Sequence, residues 1–181
     1  MAQSLSNVNI SSGSATLSGQ TATFFPGVLQ LDGRLTPTLS VQQQLVLASS
    51  RTALIRIRFT NTDAQDAPVS MSFGSGALLQ AGGAFAYATS ERRLELASPL
   101  ARAKCELLFS PDDSPKVEIS ADKRRYTAQF QPLTVPGNDA WTVYFTISVV
   151  FNDTEWEKEQ PEIDRMFFRP DSLFDSNEDR W

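Results

Sequence analysis

The sequence contains no histidine and a single cysteine among its 181 residues. The missing histidine excludes Ser-His-Asp and Cys-His nucleophilic sites and zinc sites with histidine ligands. One cysteine, Cys105, cannot form a disulfide within the chain, so the redox compartment stays undetermined. Because Cys105 lies in the apolar run AKCELLF, we expect a buried thiol that packs as a small hydrophobe.

Long apolar runs and basic stripes are also missing. No run approaches the roughly 20 apolar residues that span a bilayer, and the polar start MAQSLSN does not resemble a signal peptide. The net charge is −5, and residues 152–181 alone contain 10 acidic and 4 basic residues. An acidic chain without a basic stripe argues against nucleic acid as a partner. We therefore expect neither a nucleic acid nor a membrane as partner.

Alternating apolar residues from Leu39 to Asn61 predict two strands that form an antiparallel hairpin. Side chains two residues apart share one face of a strand. The apolar positions of the two strands are Leu39, Val41, Leu45, Leu47, Ile55, Ile57 and Phe59. The polar residues between them, with Arg56 and Arg58 in the second strand, form a face toward water or a partner.

Further strands follow the same pattern and are separated by turn-forming residues. We predict strands at 69–73, 84–89, 92–97, 103–109, 116–120 and 125–131 and, most strongly, at 141–151. On the last of these, Trp141, Val143, Phe145, Ile147 and Val149 share one face, and the other face is partly apolar, which is typical of a central strand. So many short strands predict an all-β fold, a large antiparallel two-sheet β-sandwich of the super-sandwich type.

Composition divides the chain into three parts. Residues 1–23 form a polar N-terminal arm or edge strands, residues 24–151 the β-sandwich domain, and residues 152–181 an acidic, aromatic linker. In the linker we expect only short helical segments, because Pro161 and Pro170 interrupt it, with Asp153 or Thr154 as an N-cap.

The end of the linker resembles the start of another helix. Ser176 and Asp179 have capping-box spacing, yet the sequence ends at Trp181. We therefore expect that the chain was cut from a longer protein and that little regular helix follows Ser176. The large apolar side chains of the linker are too many for a free acidic tail, so we expect part of it to pack on the sandwich or on a second copy of the chain. They are Trp156, Met166, Phe167, Phe168, Leu173 and Phe174.

Few side chains suggest a site, and we assign no catalytic, cofactor-binding or metal-binding residue. The basic run Lys123-Arg124-Arg125 and the pair Asp112-Asp113 are typical of solvated turns. The row Glu155, Glu157 and Glu159 suggests paired glycosidase carboxylates, but the linker is expected to be too irregular to hold two of them.

The tryptophans suggest either sugar-stacking platforms or packing. We expect Trp141 to lie in the core, and Trp156 and Trp181 to anchor the linker on a neighbouring surface.

Four segments occur in an order that resembles one known family. They are FFPGVLQLDG, LVLASSRTALIRIRFTNT, VSMSFGSGAL and FFRPDSLFDSNEDRW, within residues 24–181. They resemble the N-terminal region of glycoside hydrolase family 63, the α-glucosidase family that includes mannosyl-oligosaccharide glucosidases. In that family the region is a super-β-sandwich packed on an α-helical toroid that holds the catalytic acid and base.

The resemblance implies a non-catalytic N-terminal domain that braces the toroid of an inverting α-glucosidase and helps to shape its oligosaccharide pocket. The toroid domain would then be its partner, and a periplasmic or secreted parent would fit, although localisation stays unknown. No catalytic residue and no cofactor carries over, because none of the toroid is in this sequence. The alternative is a self-contained carbohydrate-binding β-sandwich, a lectin-like module.

Overall fold

The computed structural model describes residues 7–25, 27–74, 84–88, 92–98, 103–110 and 115–178. In chain order these residues form β1 (Asn7–Ser12), β2 (Ala15–Thr16), β3 (Ser18–Phe25), β4 (Val28–Arg34), β5 (Leu39–Leu47), β6 (Thr52–Asn61), β7 (Ala67–Gly74), β8 (Ala84–Ala88), β9 (Arg93–Ser98), β10 (Ala103–Phe109), β11 (Lys116–Ile119), β12 (Tyr126–Gln129), β13 (Leu133–Val135), β14 (Ala140–Val150), α1 (Asp153–Phe168) and α2 (Asp171–Glu178).

The strands form two antiparallel sheets, which confirms the predicted all-β sandwich. The larger sheet has eight strands in the order β3-β4-β5-β6-β14-β10-β9-β8. The smaller one has six, in the order β11-β12-β7-β1-β2 with β13 also paired to β7. Apolar side chains from one face of each sheet pack together as a single core. We call the other face of the eight-stranded sheet its outer face.

The predicted hairpin is β5 and β6, which pair in continuous register from Leu39 with Asn61 to Leu47 with Ala53. Val41, Ile57 and Phe59 are almost fully buried in the core. The alternation is confirmed except at Leu47, which is 69% exposed at the end of β5. It sends the polar residues between the buried positions to the outer face.

The strand β14 lies between β6 and β10 inside the larger sheet, as its two partly apolar faces predict. Val143 and Phe145 are buried in the core. The prediction is wrong at both ends of this face, where Trp141 is 40% exposed and Val149 is 43% exposed. Both lie near the ends of β14, where alternation still sets their direction but the opposite sheet no longer covers them.

The N-terminal stretch forms strands in both sheets. The strand β1 pairs with β7 on one side and β2 on the other, and so has neighbours on both edges. The strand β3 is an edge strand of the larger sheet and pairs only with β4 among the described strands.

The helix α1 is longer than the sequence indicates, because it continues through Pro161 to Phe168. Trp156 and Ile163 are buried beside Leu108 and Val150 of the sandwich. Burial on both sides of the proline compensates for the hydrogen bond that proline removes from a helix. The N-cap is Asn152, whose side chain accepts from the N–H of Glu155, so the expected cap at Asp153 or Thr154 is wrong by one or two residues.

The helix α2 begins at Asp171 and includes Ser176, so the expected helix start at Ser176 is wrong; Asp179 lies outside the described residues. After Ser176 the helix continues for two described residues, to Glu178, so the expectation of little regular helix there stays a prediction. Phe174 is buried against Val28, Val46 and Leu54. The predicted packing of the C-terminal segment on the sandwich is thereby confirmed. Neither helix is long and apolar enough to cross a membrane.

Aromatic side chains hold the centre of the sandwich together. The ring of Phe145 meets that of Phe73 on the opposite sheet edge-to-face, with centroids 4.7 Å apart. Phe109 and Phe130 complete the cluster at 5.8 Å from each other. Such contacts add to the free energy of apolar burial and fix the two sheets relative to each other.

We expect Phe145→Ala to reduce the free energy of unfolding by about 3–5 kcal/mol, because the residue is 4% exposed and truncation leaves a cavity. Chemical denaturation measures this change. Val149→Ala on the same strand is the matched control, and its half-exposed side chain predicts a loss below about 1 kcal/mol. Equal losses for the two variants would contradict this assignment of the core face.

Candidate functional site

The polar side chains of the outer face are arranged in rows that run across neighbouring strands. The register of β4, β5 and β6 aligns Gln30 with Gln44 and Arg56, which we call the Arg56 row. The next positions align Asp32 with Gln42 and Arg58, the Arg58 row. Rows on one face lie about 7 Å apart, because side chains two residues apart along a strand share a face.

The Arg56 row is covered by α2. The guanidinium of Arg56 donates to Gln44 Oε1 at 2.8 Å through Nε and to Asp171 Oδ1 at 2.6 Å through Nη1. Tyr144 on β14 donates its hydroxyl to the same Asp171 oxygen at 2.7 Å. The guanidinium also lies 4.2 Å from the centroid of the Phe174 ring. Arg56 is only 6% exposed, and its guanidinium is held by hydrogen bonds and by the Phe174 ring.

These contacts change two pKa values. Burial alone would raise the pKa of Asp171, but its hydrogen bonds from Tyr144 and Arg56 and the nearby positive charges lower it below the ordinary 3.8. Burial raises the pKa of Tyr144, and the hydrogen bond to the Asp171 carboxylate raises it further. Asp171 is thus a carboxylate and Tyr144 a neutral donor at neutral pH.

The Arg58 row stays open and forms part of a cleft of about 660 Å³. Strands β3 to β6 line the cleft, and several of the lining side chains carry hydroxyl groups. Its lining residues are Ser18, Gly19, Thr21, Asp32, Gly33, Arg34, Ser40, Val41, Gln42, Arg58 and Thr60.

Hydrogen bonds fix part of this lining and leave part of it free. Asp32 accepts from the amides of Gln30 at 2.7 Å and Gln42 at 3.2 Å. Within the described ranges, the guanidinium groups of Arg34 and Arg58 make no hydrogen bond and no ion pair. The cleft therefore offers two free cationic donors, one fixed carboxylate acceptor and several hydroxyls.

The described lining of this cleft offers hydrogen-bonding groups but no pair of carboxylates. Asp32 is the only carboxylate among the lining residues of the cleft that the structure describes. Arginine stays protonated at physiological pH, so it cannot exchange a proton with a substrate. Hydrolysis of a glycosidic bond by the usual route needs two carboxyl groups across that bond.

The glutamates noted in the sequence have a structural role at the other end of the sheet. Glu155 pairs with Arg51 at 2.8 Å, and Glu159 accepts from Ser49 at 3.1 Å and Thr52 at 2.9 Å. The expectation that their segment is too irregular to hold carboxylates is wrong, because α1 holds them firmly. Both carboxylates bind donors around the β5–β6 turn, and they anchor α1 there.

The basic run Lys123-Arg124-Arg125 lies in the turn between β11 and β12, where Ser120 and Asp122 accept from its backbone N–H groups. It does not line the cleft. The pair Asp112-Asp113 lies outside the described residues, as does Trp181.

The two tryptophans that the structure describes behave differently from each other. Trp156 is buried on the sandwich, as expected of an anchor, whereas the exposed Trp141 contradicts a core position. Cys105 is only partly buried, although it packs against the core as predicted. Across the described part of the chain, no three His, Cys, Asp or Glu side chains group as a metal site would require.

The sequence contained a signal for the cleft that we interpreted only as a polar strand face. Arg56 and Arg58 alternate with core residues on β6, and Gln42 and Gln44 do the same on β5. Alternation shows that these four share a face, but their alignment with Asp32 and Arg34 depends on a register that the sequence does not reveal.

Comparison with protein-family models finds no match for this chain. Comparison with curated proteins finds none either.

Solved structures with a similar fold include several carbohydrate-active proteins. A candidate kojibiose phosphorylase from the human microbiome aligns with a TM-score of 0.62 at 6% identity, over 88% of this chain and 25% of that one. A galactose mutarotase-like protein from Lactobacillus casei aligns with a TM-score of 0.54 at 10% identity, over 80% of this chain and 85% of that one. A candidate aldose 1-epimerase from Escherichia coli K12 aligns with a TM-score of 0.54 at 9% identity, over 75% of this chain and 69% of that one.

At these identities the likeness shows the fold alone: a β-sandwich of the type found in carbohydrate-active proteins. The chain spans a quarter of the kojibiose phosphorylase candidate and most of the mutarotase-like protein. The same sandwich therefore occurs both as a part of a large protein and as nearly a whole one.

The contact between Asp171 and Arg56 predicts a pH dependence of stability. Asp171 has a lowered pKa in the folded state, so its carboxylate stabilises the fold above its unfolded pKa, and this contribution is lost as pH falls through the folded pKa. We expect Asp171→Asn to destabilise the chain at pH 7 by less than about 1 kcal/mol, because solvent screens the half-exposed carboxylate.

The difference from the wild type should shrink between about pH 5 and pH 2, as measured by urea denaturation at each pH. Asp164→Asn on the exposed side of α1 is the control and should show no such trend. A constant difference for Asp171→Asn over this range would contradict an ionised contact.

Proposed function

We propose that this chain is a non-catalytic carbohydrate-binding β-sandwich domain, with the open cleft of the outer face as its sugar site. The observation that supports this function is the cleft itself, where polar side chains from four adjacent strands face a common space. The similarity of the fold to sandwiches of carbohydrate-active proteins supports the same class of ligand.

Sugar hydroxyls both donate and accept hydrogen bonds, and the cleft matches both needs. Arg58 donates, the Asp32 carboxylate accepts, and the hydroxyls of Ser40 and Thr60 do either. Because Asp32 and Gln42 are hydrogen-bonded to each other, part of the site is organised before a ligand arrives. Such preorganisation lowers the entropic cost of binding.

A second candidate function is the one implied by the family 63 resemblance: a domain that braces the catalytic toroid of an inverting α-glucosidase and helps to shape its oligosaccharide pocket. The alignment with only a quarter of the kojibiose phosphorylase candidate favours such a role within a larger protein. Exposed apolar side chains near one end of the larger sheet also favour it, since apolar patches mark contact surfaces. They are Phe24, Phe25, Leu47 and Phe151.

The two functions differ in what they require of the cleft. A binding module needs the cleft open to soluble sugar, whereas a bracing domain needs only its contact surface. We expect the purified chain to bind oligosaccharides and Ser40→Tyr to weaken that binding by about tenfold or more, because the ring takes up space beside Arg58 and Gln42 that the sugar needs. Isothermal titration against a panel of gluco-, manno-, galacto- and uronate oligosaccharides measures both.

Thr127→Tyr on the exposed face of β12 is the matched control, since it adds the same ring to the smaller sheet. It should leave binding unchanged. Absence of binding across the whole panel, with a folded wild-type chain, would overturn the module and favour the bracing function.

Both functions predict that the chain alone hydrolyses no glucoside, because the described lining of the cleft has one carboxylate where the reaction needs two. Incubation with nitrophenyl glucosides and disaccharides checks this, with a commercial α-glucosidase as the positive control. Turnover that persists through a further purification step and disappears in Asp32→Asn would contradict a non-catalytic cleft.

A further inference from the structure

We propose that the cleft binds an acidic saccharide and that Arg58 pairs with the carboxylate of a uronic acid unit. This inference rests on the proposed function and adds the chemical class of the sugar. It follows from three features of the outer face: an arginine row that binds the Asp171 carboxylate of α2, a neighbouring arginine row that lines the cleft, and the charge of the cleft.

The Arg56 row shows how this face holds a carboxylate. Asp171 presents one carboxylate oxygen to Nη1 of Arg56 at 2.6 Å and to the hydroxyl of Tyr144 at 2.7 Å. Both donors stand on adjacent strands, β6 and β14, whose register pairs these two residues. The chain thus supplies, from α2, a carboxylate that binds a guanidinium and a neighbouring hydroxyl.

The Arg58 row has a similar arrangement and faces the cleft. Arg58 follows Arg56 by two residues on β6, so its side chain shares the outer face about 7 Å further along. Its register partner on β14 is Thr142, which again places a hydroxyl-bearing residue beside an arginine. Arg58 is exposed, and its guanidinium has no hydrogen-bonding partner in the described ranges.

The charge of the cleft favours an anion. Its lining contains two arginines, Arg34 and Arg58, and one carboxylate, Asp32. Asp32 already accepts two amide hydrogen bonds, which direct its oxygens toward Gln30 and Gln42. The net charge of the lining is positive in a chain whose total is −5, so the basic groups here are a local feature.

The rest of the lining favours a sugar over an acidic peptide. Hydroxyls at Ser18, Thr21, Ser40 and Thr60 surround the arginines. Val41, the one apolar residue in the described lining apart from glycines, has its side chain buried in the core. A peptide would place apolar backbone carbons and side chains against this surface, whereas a saccharide presents hydroxyls along its length. A saccharide that carries a carboxylate fits both the arginines and the hydroxyl groups of the cleft.

The test uses the full chain and pairs of ligands that differ only in charge. Tetrasaccharides of galacturonate, glucuronate and hyaluronan are titrated calorimetrically, each beside its methyl ester, with tetraglutamate as an acidic peptide. We expect at least one uronate to bind about tenfold or more tightly than its own ester at low salt, with a preference that declines as salt rises.

Arg58→Gln should abolish the preference for the acid over the ester, whereas Arg165→Gln should retain it. Arg165 is the matched control because it is an exposed arginine on α1, outside the cleft. Circular dichroism confirms that each variant is folded, and Arg58→Lys should restore part of the preference because it restores the charge.

The outcomes separate the inference from the proposed function. Equal binding of acids and esters, or binding of neutral oligosaccharides alone, overturns the inference and leaves the sugar-binding cleft in place. Tetraglutamate binding as tightly as the best uronate, or a preference that survives in Arg58→Gln, also overturns the inference. Failure of every saccharide to bind overturns both.

Discussion

Arg56 places a positive charge on the outer face of the larger sheet at a position that is only 6% exposed. A cation removed from water costs several kcal/mol unless it is paired and hydrogen-bonded. Gln44, Asp171 and the ring of Phe174 together provide that compensation. Because two of these three belong to α2, the burial of Arg56 and the docking of the C-terminal segment require each other, and the rest of the outer face is divided by where α2 lies.

The apolar contacts hold the segment on the sandwich, and the polar ones set its position. Full burial of a large apolar side chain contributes about 1.5–3 kcal/mol, and Trp156, Ile163 and Phe174 are all buried. An ion pair with a half-exposed partner contributes about 1 kcal/mol or less. Apolar packing alone would allow α2 to shift slightly along the sheet. The hydrogen bonds that Arg56 and Tyr144 donate to one Asp171 oxygen fix the position of α2. Consequently α2 covers the Arg56 row and leaves the Arg58 row open.

Alternation along single strands was enough to predict the fold class, the β5–β6 hairpin and the central position of β14. It succeeded because a strand with one buried face shows its periodicity in the sequence itself. It was wrong for Trp141, whose direction was correct but whose cover depends on how far the opposite sheet extends. The expectation of only short helical segments, made from Pro161 and Pro170, was wrong for α1, because the burial of Trp156 and Ile163 outweighs the local preference of Pro161 against a helix.

The residues that line the cleft could not be predicted from the sequence, for a different physical reason. Its residues come from four strands, and only the pairing of those strands brings Asp32 beside Gln42 and Arg58. Single positions such as Arg58 indicate a polar face, but not whether a helix covers it. The structural comparisons show a similar β-sandwich fold at 6–10% identity, and neither they nor the resemblance to family 63 identify a ligand surface.

We propose that the open half of the outer face is the ligand surface of this domain. Titration of the ¹⁵N-labelled chain with a uronate tetrasaccharide, followed by backbone amide shifts, tests it most directly. We expect the shift changes to concentrate at residues 32–34, 40–42 and 58–60, with little change on β12. Changes that concentrate on the smaller sheet or at the exposed ends of the strands, with the cleft unaffected, would contradict it.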